Sequence, residues 1–351
     1  MTTMLEPEDR ALVRAALLDG NSATSAFREW RSLYDFEGQH EGGRFHILPL
    51  LFANMSRLGM EDPVMGRLRG VHRFGWAKGQ RRLHAAAKVI DLFQHDGIPV
   101  LLTKGIALAK DYYPEVAARQ MQDIDLLVPA SRADNALRLL ASEGWALQEP
   151  SLRQGGDAKV VFMARYPGAA LRGHGGEEID LHWRPLHESS SPFLAEWFWR
   201  DAEPVSFAGC SALRPAPAPL LLHSLTHGLR STHDAPLRWI ADATMILRRA
   251  GDRIDWEEFW SVARRTAVEM RLAWGLKCLE DVTGMKLPRG AQHRPLPSFI
   301  ELLERPALSR PVGAVLTVAE RNLLFIANTL RLMRAGQVHL YPKIARNWFR
   351  K

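Results

Sequence analysis

The chain has 351 residues, 46% of them apolar and 24% charged, with a formal net charge of +7. This is the composition of a globular protein large enough for two or three packed units, and no apolar run approaches the roughly 18–20 residues that span a bilayer. Two cysteines, Cys210 and Cys278, fit neither a disulfide framework nor a zinc site, so a reducing cytoplasm is the expected location.

The opening MTTMLEPEDR is acidic and polar, unlike a secretory signal. The basic balance favours anionic partners, whether nucleotides, phosphorylated substrates, nucleic acid or a membrane surface, without choosing among them. Clusters at Arg81-Arg82 and in the tail Lys343 to Lys351 read as solvated faces.

In chain order, helical apolar spacing covers Glu8 to Leu18 and Ala26 to Tyr34, interrupted at Asp19-Gly20-Asn21. A third helix is expected from Phe45 to Leu58. A long one follows from Val64 to Gln94, with Val89, Ile90, Leu92 and Phe93 on its buried side, and stops at His95-Asp96-Gly97. The period then changes. Ile98 to Thr103 is a short β-like run, Gly105 opens a short helix through Tyr112, and Pro114 bars its continuation. Ile124 to Val128 is a second strand. Ser131 and Asp134 have capping-box spacing ahead of a helix that ends at Gly144. Trp145 to Leu147 and Lys159 to Arg165 read as strands, Gly168 to Gly176 as a loop or hairpin turn, and Glu177 to Trp183 as an alternating strand. Helices are expected again at Ala218–Leu229, Leu237–Arg249, Trp256–Arg264, Ala267–Asp281 and Ala314–Arg334, with Pro288, Pro295, Pro297 and Pro306 in the loops between. The pattern is α+β: an N-terminal helical region (1–95), an α/β core with a mixed sheet (96–208) and a C-terminal helical domain (209–351).

The chemistry concentrates in Leu101 to Val128. Alternation in an extended strand points Asp123 and Asp125 the same way, and two adjacent carboxylates repel unless a cation lies between them. In Ile179-Asp180-Leu181-His182-Trp183, the same alternation puts Asp180 and His182 on one face. If the two strands are neighbours, three carboxylates converge where a hard cation such as Mg²⁺ binds together with substrate phosphates. Two such ions would stabilise the attacking and leaving oxygens of an in-line displacement, and the third acid would complete the second site or serve as base. His182 either bonds Asp180 structurally or takes part in the chemistry. Arg119 either contacts a triphosphate or relieves the repulsion between Asp123 and Asp125.

His223 and His227, at i and i+4 with His233 and Asp234 nearby, share a helix face but lack the intervening glutamate of a zinc protease. They read as core or acceptor-pocket residues. Arg238 and Asp242, one turn apart, read as an ion pair. Trp30, Trp76, Trp197, Trp199 and Trp239 read as packing.

These motifs resemble the nucleotidyltransferase superfamily of the DNA polymerase β type. More closely, they resemble a bacterial uncharacterised nucleotidyltransferase family marked by a Lys-Gly turn, an arginine before an Asp-h-Asp-h-h-Val strand and a later h-Asp-h-His-Trp strand (h apolar). Here those are Lys104-Gly105, Arg119 with Asp123-Ile-Asp125-Leu-Leu-Val128, and Ile179-Asp-Leu-His-Trp183. The likeness continues through Leu222-His-Ser-Leu-Thr-His-Gly228 and Leu237-Arg-Trp-Ile-Ala-Asp242. It implies a polymerase β-like core and transfer of a nucleoside monophosphate from an NTP such as ATP to an acceptor. It also implies two Mg²⁺ ions, with Mn²⁺ as a substitute, on Asp123, Asp125 and Asp180, and phosphate contacts from Lys104, Gly105 and Arg119. His182, His223 and His227 would border the acceptor pocket. The wider superfamily carries Gly-Ser at the first turn, whereas this chain has Thr103-Lys104-Gly105-Ile106. That departure supports an alternative reading, a nucleotide- or partner-binding regulatory protein on the same fold. RNA binding or RNA-end modification ranks last, because no aromatic–basic alternation of the RNA-recognition type is present.

Overall fold

The computed structural model describes residues 5–34, 42–189, 191–207, 209–229, 237–296, 298–308 and 317–334. His233, Asp234 and the basic tail lie outside the described residues.

The N-terminal helices are α1 (Pro7–Leu17), α2 (Gly20–Leu33), α3 (Gly42–Phe45), α4 (Leu48–Arg57) and α5 (Met65–His95). Pro7 at the first turn and Glu8 and Asp9 beside it favour the start of α1, since they need no intrahelical N–H there and complement the positive end of the helix dipole. The Asp19-Gly20-Asn21 signal separates α1 from α2, but it is the start of α2 itself, six residues earlier than expected. Helices α1, α2 and α4 pack together, α4 packs on α5, and α1 also packs against two C-terminal helices introduced below.

The central region runs β1 (Leu101–Leu102), α6 (Lys104–Ala109), β2 (Ile124–Leu127), α7 (Ala133–Ser142), β3 (Ala146–Leu147), α8 (Pro150–Gln154), α9 (Gly156–Arg165), β4 (Gly168–Arg172), β5 (Glu178–His182), α10 (Pro192–Arg200), β6 (Glu203–Phe207) and β7 (Cys210–Arg214). All seven strands form one mixed sheet in the order β3-β4-β5-β2-β1-β7-β6. The pairs β2/β5 and β1/β7 are parallel; the others are antiparallel. The expected boundary at 208 lies between β6 and β7 in sequence, so the last strand of the sheet falls beyond it.

Three local readings are corrected. Residues 159–165 are helical, not extended: Gly155 and Gly156 break the chain with positive φ, and Phe162 packs at a tilt against Tyr166 one turn on, with ring centroids 4.7 Å apart. The β-branched Val160 and Val161 give way to that packing. The stretch Gly168–Gly176 contains strand β4, and only 173–176 form the turn. Gly168 serves a close strand approach, since a Cβ there would lie 2.7 Å from the Leu181 carbonyl. Ser131 caps nothing: α7 starts at Ala133 without a side-chain cap, and the Asp134 carboxylate pairs with Lys159 and Arg138.

The C-terminal helices are α11 (Pro217–Gly228), α12 (Arg238–Ala250), α13 (Trp256–Arg265), α14 (Glu269–Thr283), α15 (Phe299–Leu308) and α16 (Val318–Arg334). Helix α1 packs on α12 and α14. The loop expected between Pro297 and Pro306 gives way to α15, which holds Pro306 near its end. A reciprocal cap starts that helix: Ser298 N–H donates to Glu301 Oε2 at 3.0 Å, and Glu301 N–H to Ser298 Oγ at 3.3 Å. One contiguous apolar core extends from Leu5 to Ala291 and joins the N-terminal helices and α11–α14 to the sheet, while α15 and α16 pack in a smaller cluster around Ala267, Ile300 and Ala327. The fold is α+β, a mixed sheet with helices before and after it. Among the described residues, no helix is long and apolar enough to cross a membrane.

Candidate active site

The site forms where three strands meet. Parallel registry sets Asp125 of β2 directly beside Asp180 of β5, and apolar neighbours Ile124, Leu126, Ile179 and Leu181 fix that registry by burying their side chains. The adjacent antiparallel strand β1 brings its end to the same place, with the Thr103 N–H donating to the Asp125 carbonyl at 3.2 Å. Helix α6 then starts at Lys104 with φ +45°, a left-handed conformation that costs a non-glycine residue about 1–2 kcal/mol.

From that turn the Lys104 ammonium donates to Asp125 Oδ1 and lies 3.8 Å from Asp180 Oδ2. His182 Nε2 lies 3.0 Å from Asp180 Oδ2 and 3.4 Å from Asp125 Oδ1. Neither approach is aligned as a hydrogen bond, so both ring nitrogens are buried without one. Ligand atoms of Asp125, Asp180 and His182 all lie within 4.8 Å of one another.

The charges shift one another. For Asp125, burial pushes the carboxyl up but is outweighed by the Lys104 ammonium and His182, which hold it below the usual carboxylate range. Asp180 is held low in the same way, with His182 outweighing burial ahead of Lys104. Burial alone would lower His182, yet the two carboxylates raise it; Lys104 is likewise raised against burial by Asp125 and Asp180. Asp123, half-buried just ahead of β2, goes the other way: the charge on Asp125, then burial, pushes it up to about 6. Asp123 is not part of the compact ligand cluster, although its charge is coupled to it.

Other expected site residues have different surroundings. Arg119 is buried, and its guanidinium makes a two-pronged contact to Asp242, Nε to Oδ1 and Nη2 to Oδ2, each 2.8 Å. Tyr113 Oη donates to the same carboxylate at 2.5 Å. Gly105 lies against this pair, where a Cβ would sit 2.7 Å from Arg119 Nη1. Asp242 is therefore the partner of Arg119, not of Arg238. Arg238 instead donates to the Gln120 carbonyl at 3.0 Å and helps to hold down the raised Asp123. His223 is buried on α11, with its ring centroid 6.1 Å from Phe198 and 6.0 Å from His227. Helix α11 packs against α6, and neither histidine joins the acid cluster.

Sequence reasoning passed over two cations near Asp123. Arg238 was assigned to Asp242. Arg82 of α5 was read as surface, but its Nε is buried without a hydrogen-bond partner, and Asp123 is the acid that acts on it most strongly. A separate cleft of about 390 Å³, lined by Lys110, Asp111, Arg214 and Arg253 among others, contains none of the three acids.

Residues 29–284 match the model of a family described as uncharacterised nucleotidyltransferase. The chain belongs to that family. No curated protein matches it. Family membership makes the protein a transferase with a nucleotide substrate at the coarse level, and the match extends beyond the 85–250 over which the motifs are legible. Nucleotidyltransferases use divalent metals, and the residues here fit one. Two carboxylates and an imidazole with no aligned partner converge, a donor set that fits a divalent cation once Lys104 is displaced. An imidazole in the donor set suits Mn²⁺ at least as well as Mg²⁺.

Proposed function

We propose that this nucleotidyltransferase moves a nucleoside monophosphate from an NTP to an acceptor, releasing pyrophosphate, with Mg²⁺ or Mn²⁺ at the site. The observation that carries this reading is the register pair Asp125/Asp180 with His182 beside it. When bound, the divalent ions supply charge stabilisation to the attacking and leaving oxygens. Asp125 and Asp180 hold metal, with Asp123 at the rim as the further acid. An acid not engaged as a ligand takes the proton from the acceptor hydroxyl as its oxygen bonds to the α-phosphorus and the bond to pyrophosphate breaks. Lys104, displaced from the acids, faces the phosphates, and the Arg119–Asp242 pair keeps the Lys-Gly turn in place. His223 and His227, on α11 that packs against α6, would border the acceptor pocket. Two free cysteines suit a reducing cytoplasm.

The test has two readouts. Mn²⁺ binding followed by electron paramagnetic resonance should be present in the wild type and lost in Asp125→Asn and Asp180→Asn. Label from α-phosphate-labelled NTPs should appear on an acceptor in a broad metabolite and protein panel. A wild type with neither Mn²⁺-dependent NTP binding nor transfer would refute the reading.

One observation favours a second reading, a nucleotide-binding regulator on the same fold: the Lys104 ammonium already neutralises the acids where a cation would lie. NTP affinity that persists in Asp180→Asn, with no product from the wild type, would select it.

A further inference from the structure

Among the described residues, four arginines are buried: Arg119, Arg184, Arg214 and Arg271. Three are paired with carboxylates, Arg119 with Asp242, Arg214 with Asp111 and Glu203, and Arg271 with Glu188 and Glu304. Arg184 is the exception. It is 9% exposed and no carboxylate pairs with it; its Nε, like those of Arg214 and Arg271, has no hydrogen-bond partner. Its contact is Nη2 to the Met163 carbonyl at 3.5 Å, the outer limit of a hydrogen bond. Burial with no opposing acid pushes the guanidinium down to about 10, so it stays charged at neutral pH. A buried cation without a counter-charge is costly, and folded proteins normally pair it.

Its placement is equally specific. Arg184 comes two residues after His182. The Trp183 and Arg184 amides both donate to the Pro167 carbonyl, at 2.8 and 3.1 Å. Two residues facing one is the pattern of a β-bulge, which re-aims side chains at strand ends and beside active sites. The Met163 carbonyl belongs to α9, none of whose residues is buried and which starts at Gly155 and Gly156, both with positive φ. The same Met163 carbonyl already accepts a shorter bond, 3.0 Å, from Trp183 Nε1.

We propose that Arg184 is reserved for an incoming oxyanion, a phosphate or carboxylate of a substrate that reaches past the end of β5. The guanidinium presents a planar fork of N–H donors that matches such a group, and its arrival supplies the missing counter-charge and replaces the weak Met163 contact. The proposal rests on the transferase reading for the source of the anion, not for the anion site itself.

The test uses the full chain and Arg184→Met, with Arg184→Lys as the charge-conserving variant. Binding of ATP, GTP, CTP and UTP with Mn²⁺, and of pyrophosphate and inorganic phosphate without it, is measured by calorimetry and by the fluorescence of the adjacent Trp183. Mn²⁺ affinity and thermal stability are measured in parallel. Arg184→Met should bind at least one of these anions ten-fold or more weakly, with Mn²⁺ affinity unchanged and a melting temperature equal to or above that of the wild type, since an unpaired buried charge has been removed. Arg184→Lys should recover part of the affinity. Loss confined to the nucleotides assigns the oxyanion to the NTP; loss confined to phosphate or pyrophosphate assigns it elsewhere. Anion affinities equal in wild type and Arg184→Met, or absent in both, overturn the proposal, as does a fall in melting temperature that tracks the loss of binding. A wild type that binds phosphate through Arg184 but no nucleotide in any metal condition would instead defeat the transferase reading and leave the anion site standing.

Discussion

Lys104 offers the sharpest test of how the acid cluster works. Its ammonium touches Asp125, which is 1% exposed, and lies 3.8 Å from Asp180, so it is the main neutraliser of Asp125 and, after His182, contributes to holding Asp180. At an effective dielectric constant of about 20, a unit-charge pair about 4 Å apart is worth ~4 kcal/mol. Lys104→Met removes two such attractions. Uptake of a proton by one carboxyl recovers part of the loss and leaves ~3–5 kcal/mol, the range for breaking a buried pair. The same substitution removes the cation that a divalent ion must displace. Metal-free Lys104→Met should therefore unfold at lower urea than wild type, yet bind Mn²⁺ about ten-fold more tightly, roughly 1.4 kcal/mol. Saturating Mn²⁺ should then restore much of the lost stability by mass action. Urea titrations with and without Mn²⁺ and direct Mn²⁺ titration measure both effects. Unchanged metal-free stability, or weaker Mn²⁺ binding in the variant, would refute the reasoning.

Three further outcomes are expected. Gly105→Ala places a methyl 2.7 Å from Arg119 Nη1 and 2.9 Å from Met121 Cγ; because Asp242 fixes the arginine, the clash should cost about 1–3 kcal/mol in denaturant titrations. Asp242→Asn leaves Arg119 buried without its counter-ion and should cost about 3–5 kcal/mol, while the double variant Arg119→Met/Asp242→Leu should recover most of that; a double variant no more stable than the single would overturn the account. His46 is pushed down to about 4, by burial first and then by Arg238, so between pH 6.5 and 4 the unfolded chain takes up a proton there that the folded chain refuses. Stability should fall as pH drops through that window, by up to ~3 kcal/mol at this site, and His46→Gln should flatten the slope.

Much of the site was legible because its signals are local in sequence. Alternation alone placed Asp180 and His182 together, and the apolar residues between the acids dictated the register that aligns Asp125 with Asp180. Asp123 was harder to place, because alternation holds only within the strand and β2 starts after it, at Ile124. The partner of Arg119 was illegible for a different reason. Asp242 lies 123 residues away, and the nearer candidate, Arg238 one turn earlier, offered a plausible local pair that tertiary packing does not use. In the fold, the reading failed where a local rule met a longer-range one. Ser131/Asp134 matched a capping box that does not form, whereas Ser298/Glu301 and Thr317/Glu320 form real ones before α15 and α16. Prolines around 295–306 concealed the first of these. A proline near the end of a helix interrupts little, because the N–H it lacks belongs to the last turn alone.

The Lys-Gly turn takes on a different meaning in this geometry. A serine after the glycine, as in the wider superfamily, would aim the first turn at phosphate. Here the left-handed Lys104 turns that segment's charge back onto Asp125 and Asp180, and Gly105 is required because Arg119 fills the space a side chain would need. The turn therefore serves the acids in the metal-free protein, and phosphate must be met in part from elsewhere. Arg82 and Arg238 flank Asp123, and Arg184 follows β5; Arg82 and Arg184 each have an Nε lacking a partner, and none of the three forms a carboxylate ion pair among the described residues. A site whose acids hold their own counter-ion, with Arg82 and Arg238 acting on Asp123 beside it, suits a ligand that brings both signs at once. Under the proposed function a nucleoside triphosphate with its divalent cation would do so, the metal taking the acids, the phosphates the arginines, with Lys104 released between them.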